Sequence, residues 1–511
     1  MPHESLGTPG PLTPEPADVM NLVLPDAIPP DALSFMFEIP ERRPALSARR
    51  VLSGLQKLLL VLLLAVFAAG LLYSWTLTLI VLNGCLLAFY LALSLYKFYL
   101  IHVALRTRRE MDFSYDEIAG LADDELPPYT ILVPLYKEKE TLPRLLAGLR
   151  HLDYPKDKLD VIWLMEENDP ETRQAARELD PPPWIRSVVV PDCQPKTKPK
   201  VCNLGLAIAR GRYLVIYDAE DHPEPDQLKK AILGFRHCPD DVVCLQAKLN
   251  FYNQRQNLLT RWFTTDYSMW FDIFLPGLDY LESPIPLGGT SNHFRTEKLR
   301  ELGGWDPHNV TEDCDLGIRL ALAGYRTRII HSTTWEEACS RVGWWIRQRS
   351  RWTKGYVQTW LVHERRPFRL LWKLGLRKTL SFHMMVGGTF VCLLINPLYW
   401  IMTALWFLLR WQELSTLFPY PLILWGLICL FVGNFVFVYA CVLAAYHRGY
   451  YDLVKYALAV PAYWVLMSIG AWKGFLQLIT RPSYWEKTMH GLDLLARRRR
   501  RAAVDTESRN G

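Results

Sequence analysis

No CxxC pair occurs among the ten cysteines, and they form no dense framework of the kind that staples small secreted domains. That excludes a disulfide-built scaffold and reads the cysteines as small buried hydrophobes in a reducing compartment. Net charge is only +6 over 511 residues, and the basic residues crowd beside apolar runs. A nucleic-acid binder would carry a basic stripe on a soluble face, so no nucleic acid is expected as partner. The first 48 residues lack the basic-then-apolar order of a cleavable leader. They are rich in proline and acid, so 1–48 reads as a disordered cytoplasmic tail, with 31–39 (DALSFMFEI) as a stretch suited to docking.

Charge is missing altogether from 58 to 96. As one helix that run would be about 58 Å long, against a hydrocarbon core of about 30 Å. Two spans fit, so 57–97 is expected to be a transmembrane hairpin turning near 73–76. Arg42, Arg43, Arg49 and Arg50 precede it, and Lys97, Arg106, Arg108 and Arg109 follow. Positive charge at both ends puts both in the cytoplasm. Two more spans are expected in 382–446, at 382–409 and 422–445. A further apolar stretch, 456–480, holds Pro461, Lys473 and Gln477, and five consecutive arginines follow at 497–501. It reads as an interfacial or re-entrant helix that keeps the basic tail 493–511 inside, with a fifth span and an external tail as the rival. The expected setting is the cell's inner membrane, multi-pass, with the domain between the span pairs in the cytoplasm.

Within 113–338 short apolar runs alternate with helical patterns. Tyr129–Leu135, 160–165 (DVIWLM), 188–190, 213–217 (YLVIY) and 242–247 read as strands. Leucines at 142, 145, 146 and 149 mark one helix face, and 203–209 is also helical. The alternation predicts a parallel sheet covered by helices, with ligands beyond the carboxyl ends of its strands.

The acids cluster at those ends. Glu166 and Glu167 close one strand, Asp218-Ala219-Glu220-Asp221 closes YLVIY, and Thr311-Glu312-Asp313 comes later. Asp218 and Glu220, at i and i+2, suit a hard divalent ion, Mg²⁺ or Mn²⁺, that would hold the charge of a departing diphosphate. Asp313 suits the carboxylate that takes a proton from an attacking hydroxyl. Lys196, Lys198 and Lys200 (KTKPKVCN) precede a helix, a place for phosphate. The segment 339–381 opens with a basic, aromatic run expected to lie at the membrane surface. In it Gln348, Arg351 and Trp352 share one helix face, where tryptophan can stack on a sugar and arginine can reach a phosphate.

DAED, then TED, then QRSRW, between apolar runs, resembles the processive family 2 glycosyltransferases, which include the bacterial cellulose, curdlan and hyaluronan synthases. The resemblance runs from 129 to 491. It implies an α/β domain of GT-A type inserted between transmembrane α-helices, with amphipathic interfacial helices. It further implies an inverting hexosyltransferase, a nucleotide-sugar donor such as UDP-glucose, and a growing polysaccharide as acceptor, a β-glucan whose synthesis is coupled to secretion. Carried over by position, Glu166 contacts the nucleoside, Lys200 matches the family lysine, Asp218 and Glu220 bind metal and diphosphate, and Asp313 is the base. Gln348 and Arg351 meet the donor diphosphate and Trp352 the acceptor. Gly289 and Thr290 lie in the acceptor loop. The segment 482–492, with WEKTMHG at 485–491, resembles a gating loop whose Thr488 touches donor phosphate. This sequence departs from the family at Glu220, at EEND, at the cysteine-free LGGTS loop, and at His490 of the gate. A homo-oligomer or a secretion partner is expected to complete the channel. The alternatives are a single-addition transferase acting on a lipid-linked or glycolipid acceptor, and a non-enzymatic membrane scaffold or transporter.

Overall fold

The computed structural model describes residues 22–107, 110–409 and 413–486. Its centre is one sheet of nine strands. They are β1 (Leu22–Val23), β2 (Tyr129–Leu135), β3 (Leu159–Glu166), β4 (Ile185–Val190), β5 (Tyr213–Ile216), β6 (His222–Pro223), β7 (Val242–Phe251), β8 (Asn292–Arg295) and β9 (Arg326–Glu336). The order is β1-β4-β3-β2-β5-β8-β7-β9-β6. The strands from β1 to β5 pair in parallel, but β8 runs antiparallel to both β5 and β7. The sheet is therefore mixed, which corrects the expectation of an all-parallel one. The reversing strand is only four residues long, NHFR, too short and too polar to leave a periodic trace.

Alternate side chains of the parallel strands enter two cores, as the period of two requires. Leu132, Ile162, Leu164 and Leu214 face the helix Lys198–Ile208. Ile131, Val161, Trp163 and Val215 face the helices Leu142–His151 and Gln227–His237. Both faces are covered, so the carboxyl ends of β2, β3 and β5 form the open edge of the domain.

The expectation of a disordered tail over 1–48 does not hold for 22–48. β1 adds to the sheet edge beside β4, and the short helices Pro30–Phe35 and Glu38–Arg42 bury Ala32, Met36 and Ile39. Asn203 donates its side-chain amide to the Met36 carbonyl at 3.2 Å. The Ser47 hydroxyl and Ala48 N–H both donate to the Asp306 carboxylate, at 2.9 and 2.6 Å. A few apolar side chains at helical spacing suffice to pin this segment, although composition averaged over the whole tail conceals them.

Three helices among the described residues are long and apolar enough to cross a membrane: Gly54–Thr107, Pro367–Leu409 and Tyr420–His447. The first breaks at Ser74 (φ −159°, ψ 99°). A Cβ on Gly70 would lie 2.8 Å from the Thr78 hydroxyl, whereas eight residues of straight helix span about 12 Å, so the chain doubles back there. Leu58, Leu59, Val61, Leu62, Leu63 and Leu64 are each more than half exposed, an apolar surface that water would not tolerate. A fourth element, Tyr451–Leu458 followed by Val460–Thr480, bends by 65° and has the shape of a broken span or a re-entrant loop.

The Val460–Thr480 helix packs along the helix that carries QRSRW, Val342–His363. Two glycines permit the close approach. A Cβ on Gly474 would stand 2.3 Å from the Ser350 carbonyl oxygen, which is backbone and cannot yield. Gly474→Val is expected to separate the two helices and destabilise the protein by about 3 kcal/mol, read as a lower midpoint of thermal inactivation. An unchanged midpoint would show that this contact is loose.

Candidate active site

β5 ends at Ile216, and the chain then turns sharply through Asp218-Ala219-Glu220-Asp221. Asp221 shapes this turn. Its Oδ2 accepts the Asp218 N–H at 2.8 Å and also the Thr290 hydroxyl, so it ties the acid turn to the loop 287–291. Asp218 is left facing outward. Lys198, in the first turn of its helix, places Nζ 2.5 Å from Asp218 Oδ1 and 2.8 Å from the Gly289 carbonyl. Across the opening, Glu312 and Asp313 occupy the first turn of the helix Glu312–Leu322, where the macrodipole favours negative charge. Asp313 Oδ1 accepts the Cys314 N–H at 2.7 Å. Gly289 sits against this carboxylate, since a Cβ there would lie 3.3 Å from Asp313 Oδ2.

The QRSRW helix closes the third side. Arg351 faces Glu312, Asp313 and Asp218, with the Trp485 ring 4.4 Å from its guanidinium. Trp352 stacks on Tyr267, the rings 6.1 Å apart at 25°. Beneath them Arg349 is buried and donates to Asp266 at 2.7 Å, which anchors this helix to the domain. The backbone at Pro482 and Tyr484 is tethered above. Lys354 Nζ donates to the Tyr484 carbonyl at 2.7 Å, and the Gln358 amide to the Pro482 carbonyl at 3.1 Å.

These walls enclose a cavity of about 550 Å³. Of the residues singled out in the sequence, Glu166, Asp218, Glu220, Gly289, Thr290, Asp313, Gln348, Arg351 and Trp352 all line it. Lys200 does not. Its ammonium is fully buried behind the wall, 3.3 Å from Glu166 Oε2 and 3.1 Å from the Cys193 carbonyl. Two residues along a helix turn the side chain by about 200°, so when Lys198 faces the cavity Lys200 faces the core. Lys200 is thus a support for Glu166, and Lys196 and Lys198 are the lysines of this motif that line the cavity. Thr488 and His490 lie outside the described residues. The sequence reading also passed over Glu336, at the end of β9, which lines the cavity. An acid closing a strand is the same signal that marked Glu166, but the eleven-residue β9 went unread because Ile329, Ile330 and Trp335 are its only apolar residues.

A second cavity, of about 230 Å³, shares Leu249, Tyr267, Gly289, Thr311, Asp313 and Trp352 with the first. It continues from them toward the apolar helices and ends among Tyr90, Leu93, Lys97 and Phe437. Asp313 and Trp352 therefore stand where the two spaces meet.

Like charge is crowded here. Burial pushes Asp221 and Glu336 well above the usual carboxylate range, and the neighbouring acids of the DAED turn push them further. A cation among these groups would relieve that crowding. Among the described residues no group of three or more His, Cys, Asp or Glu is placed to hold an ion unaided. Asp218 and Glu220 fit a hard divalent ion whose remaining ligands come from a diphosphate.

Burial, and then Asp313, push Glu312 up to about 8. Asp313 is raised by burial as well, against the pull of Lys198 and Arg351. The neighbours lose their protons in two shared steps. A carboxylate takes up a proton only when ionised, so for the base role expected of Asp313 kcat/KM is expected to fall as pH drops, with an acid limb above the ordinary carboxylate value near 4. Stability runs the other way. The folded state favours the protonated acids, so their contribution is present at low pH and is lost as pH rises toward about 8. A kcat/KM profile flat down to about pH 4 would contradict this.

Residues 213–472 match the family model described as glycosyl transferase family group 2. The chain belongs to that family. The matched region begins at β5 and ends within the Val460–Thr480 helix, so it takes in the acid turn, TED and QRSRW together. Among curated relatives, this family member is 28% identical to Probable glycosyltransferase YdaM of Bacillus subtilis over 235 residues, 45% of this chain and 56% of that protein. It is 27% identical to Probable glucomannan 4-beta-mannosyltransferase 7 of Oryza sativa over 266 residues, 49% of this chain and 45% of that one. The chain thus spans about half the length of the curated relatives it matches. A solved structure, the mannosyltransferase PcManGT from Pyrobaculum calidifontis in complex with GDP-Man and Mn²⁺, aligns at 17% identity with a TM-score of 0.42, covering 73% of this chain and 99% of that one.

Proposed function

We propose that this protein is a membrane-embedded, inverting hexosyltransferase that extends a polysaccharide from a nucleotide-sugar. One observation carries the reading: Asp218, Asp313 and Trp352 border one cavity, and a second cavity leads from the same point toward the apolar helices. Donor chemistry and acceptor entry are thereby adjacent.

In this mechanism the donor's nucleoside lies beside Glu166 and its diphosphate between Asp218 and Arg351. Asp218 and Glu220 would hold a divalent ion, which would supply positive charge against the leaving diphosphate. Lys198 and Arg351 add fixed positive charge where negative charge develops. Gln348 orients the donor. Trp352, braced by Tyr267, stacks on the acceptor's terminal sugar and presents its hydroxyl. Asp313 takes the hydroxyl proton as the oxygen attacks the anomeric carbon from the face opposite the leaving group. The gating-loop reading of 482–492 rests on Ser483, Tyr484 and Trp485, which border the donor cavity. Thr488 is proposed to complete it.

The donor sugar is a hexose on a nucleoside diphosphate. UDP-glucose is the choice implied by the glucan-synthase resemblance. The relatives named as glucomannan 4-beta-mannosyltransferases support a nucleotide-mannose as the rival donor. The protein in lipid, given UDP-glucose or GDP-mannose, should release nucleoside diphosphate only with Mg²⁺ or Mn²⁺ and build a long polymer. Release without metal, or a product bearing one added sugar, overturns the metal assignment or the processive reading respectively.

A further inference from the structure

Lys97 lies on the second half of the helical hairpin, within a wall of hydrocarbon, yet its side chain points into the membrane-side cavity and is 6% exposed. Its ammonium has no hydrogen-bond or ion-pair partner among the described residues. It rests only against two rings, 4.2 Å from the centroid of Phe437 and 5.4 Å from that of Phe274. An ionisable side chain held at this depth is costly unless it serves a ligand or pathway. The other charged groups of this cavity are engaged: Arg349 and Asp266 pair at 2.7 Å, and Asp313 belongs to the reaction end. Two wall hydroxyls near it are engaged as well. Tyr90 donates to Asn434 at 2.6 Å, and Thr389 donates to the Met385 carbonyl at 2.7 Å. What the cavity offers an occupant is a largely apolar, aromatic lining with an ammonium that no carboxylate pairs among the described residues.

We propose that this cavity binds an acceptor or primer built as a lipid phosphate, with the phosphate on Lys97 and its hydrocarbon along the apolar helices. The inference deepens the transferase reading and rests on it for the word acceptor. A lipid phosphate matches both the unpaired ammonium and the apolar, aromatic lining around it. It would also place the anionic group near the cytoplasmic end of the hairpin, ten residues before Thr107, with the reacting group reaching toward Asp313.

The test uses the full chain in a neutral maltoside detergent, titrated with dodecyl phosphate and with dodecyl glucoside. Wild type is expected to bind the phosphate at least about tenfold more tightly, as a charge-assisted contact implies. Lys97→Gln should lose that preference, and Lys97→Arg should keep it to within about threefold. Equal binding of the two amphiphiles by wild type, or a preference retained in Lys97→Gln, overturns the proposal, and the wild-type comparison stands even where the Gln variant does not fold. A wild type that prefers the phosphate yet releases no nucleoside diphosphate from any nucleotide-sugar leaves the site in place and removes the transferase reading instead.

Discussion

Asp313→Asn is expected to lower turnover by about 10²-fold or more while leaving the KM for donor nearly unchanged. Asparagine keeps the size of the side chain and can still accept the Cys314 N–H that fixes the aspartate. It cannot take a proton from the acceptor hydroxyl. The group stands at the junction of the two cavities, beside Gly289 and apart from Glu166, where the proposed mechanism puts the nucleoside, so donor binding is expected not to depend on it. Initial rates of nucleoside diphosphate release at varied donor concentration separate the two effects. A variant with normal turnover would move the base elsewhere, with Glu312 the nearest candidate. A variant that loses only donor affinity would make Asp313 a binding residue.

The second large effect contrasts two lysines that sit two positions apart. Lys198→Met should reduce kcat/KM by about 10²- to 10³-fold, because it removes a fixed positive charge from the cavity where the diphosphate departs. It also frees Asp218, which now shares its charge with Lys198 at 2.5 Å. Lys200→Met should act through the fold. Its ammonium is buried against Glu166, so the change strands a carboxylate in the wall and lowers thermal stability by about 3 kcal/mol. Heat inactivation and kcat/KM, measured on both variants, should move in opposite proportion. If Lys200→Met loses activity at full stability, the assignment of the two lysines is reversed.

Much of the site was legible in the sequence for a reason that Asp218 illustrates. An acid immediately after a run such as YLVI has to lie at the carboxyl edge of a buried strand, and that edge is where an open α/β sheet leaves room for a ligand. Glu166 follows the same rule. Gln348, Arg351 and Trp352 were legible because helical spacing sets them on one face. Lys200 was misplaced because the motif signals a lysine near a helix start without saying which way each turn faces. Asp221 went unassigned because its role is an interaction with Thr290, 69 positions along the chain. The docked segment 22–48 was missed for the same kind of reason: its partners, Asn203 and Asp306, are far away in sequence.

By itself the sequence determined the alternation of strands and helices, the apolar helices, and the kinds of side chain available for metal, phosphate and proton transfer. Those follow from local periodicity and from the chemistry of single residues. Tertiary structure decided the antiparallel β8, the choice between Lys198 and Lys200, and the meeting of Asp313 with Trp352 at the joint of two cavities. It also decided that Lys97 faces a cavity instead of lipid. Each of these depends on contacts between segments distant in the chain, and no local pattern encodes which distant surfaces will close against each other.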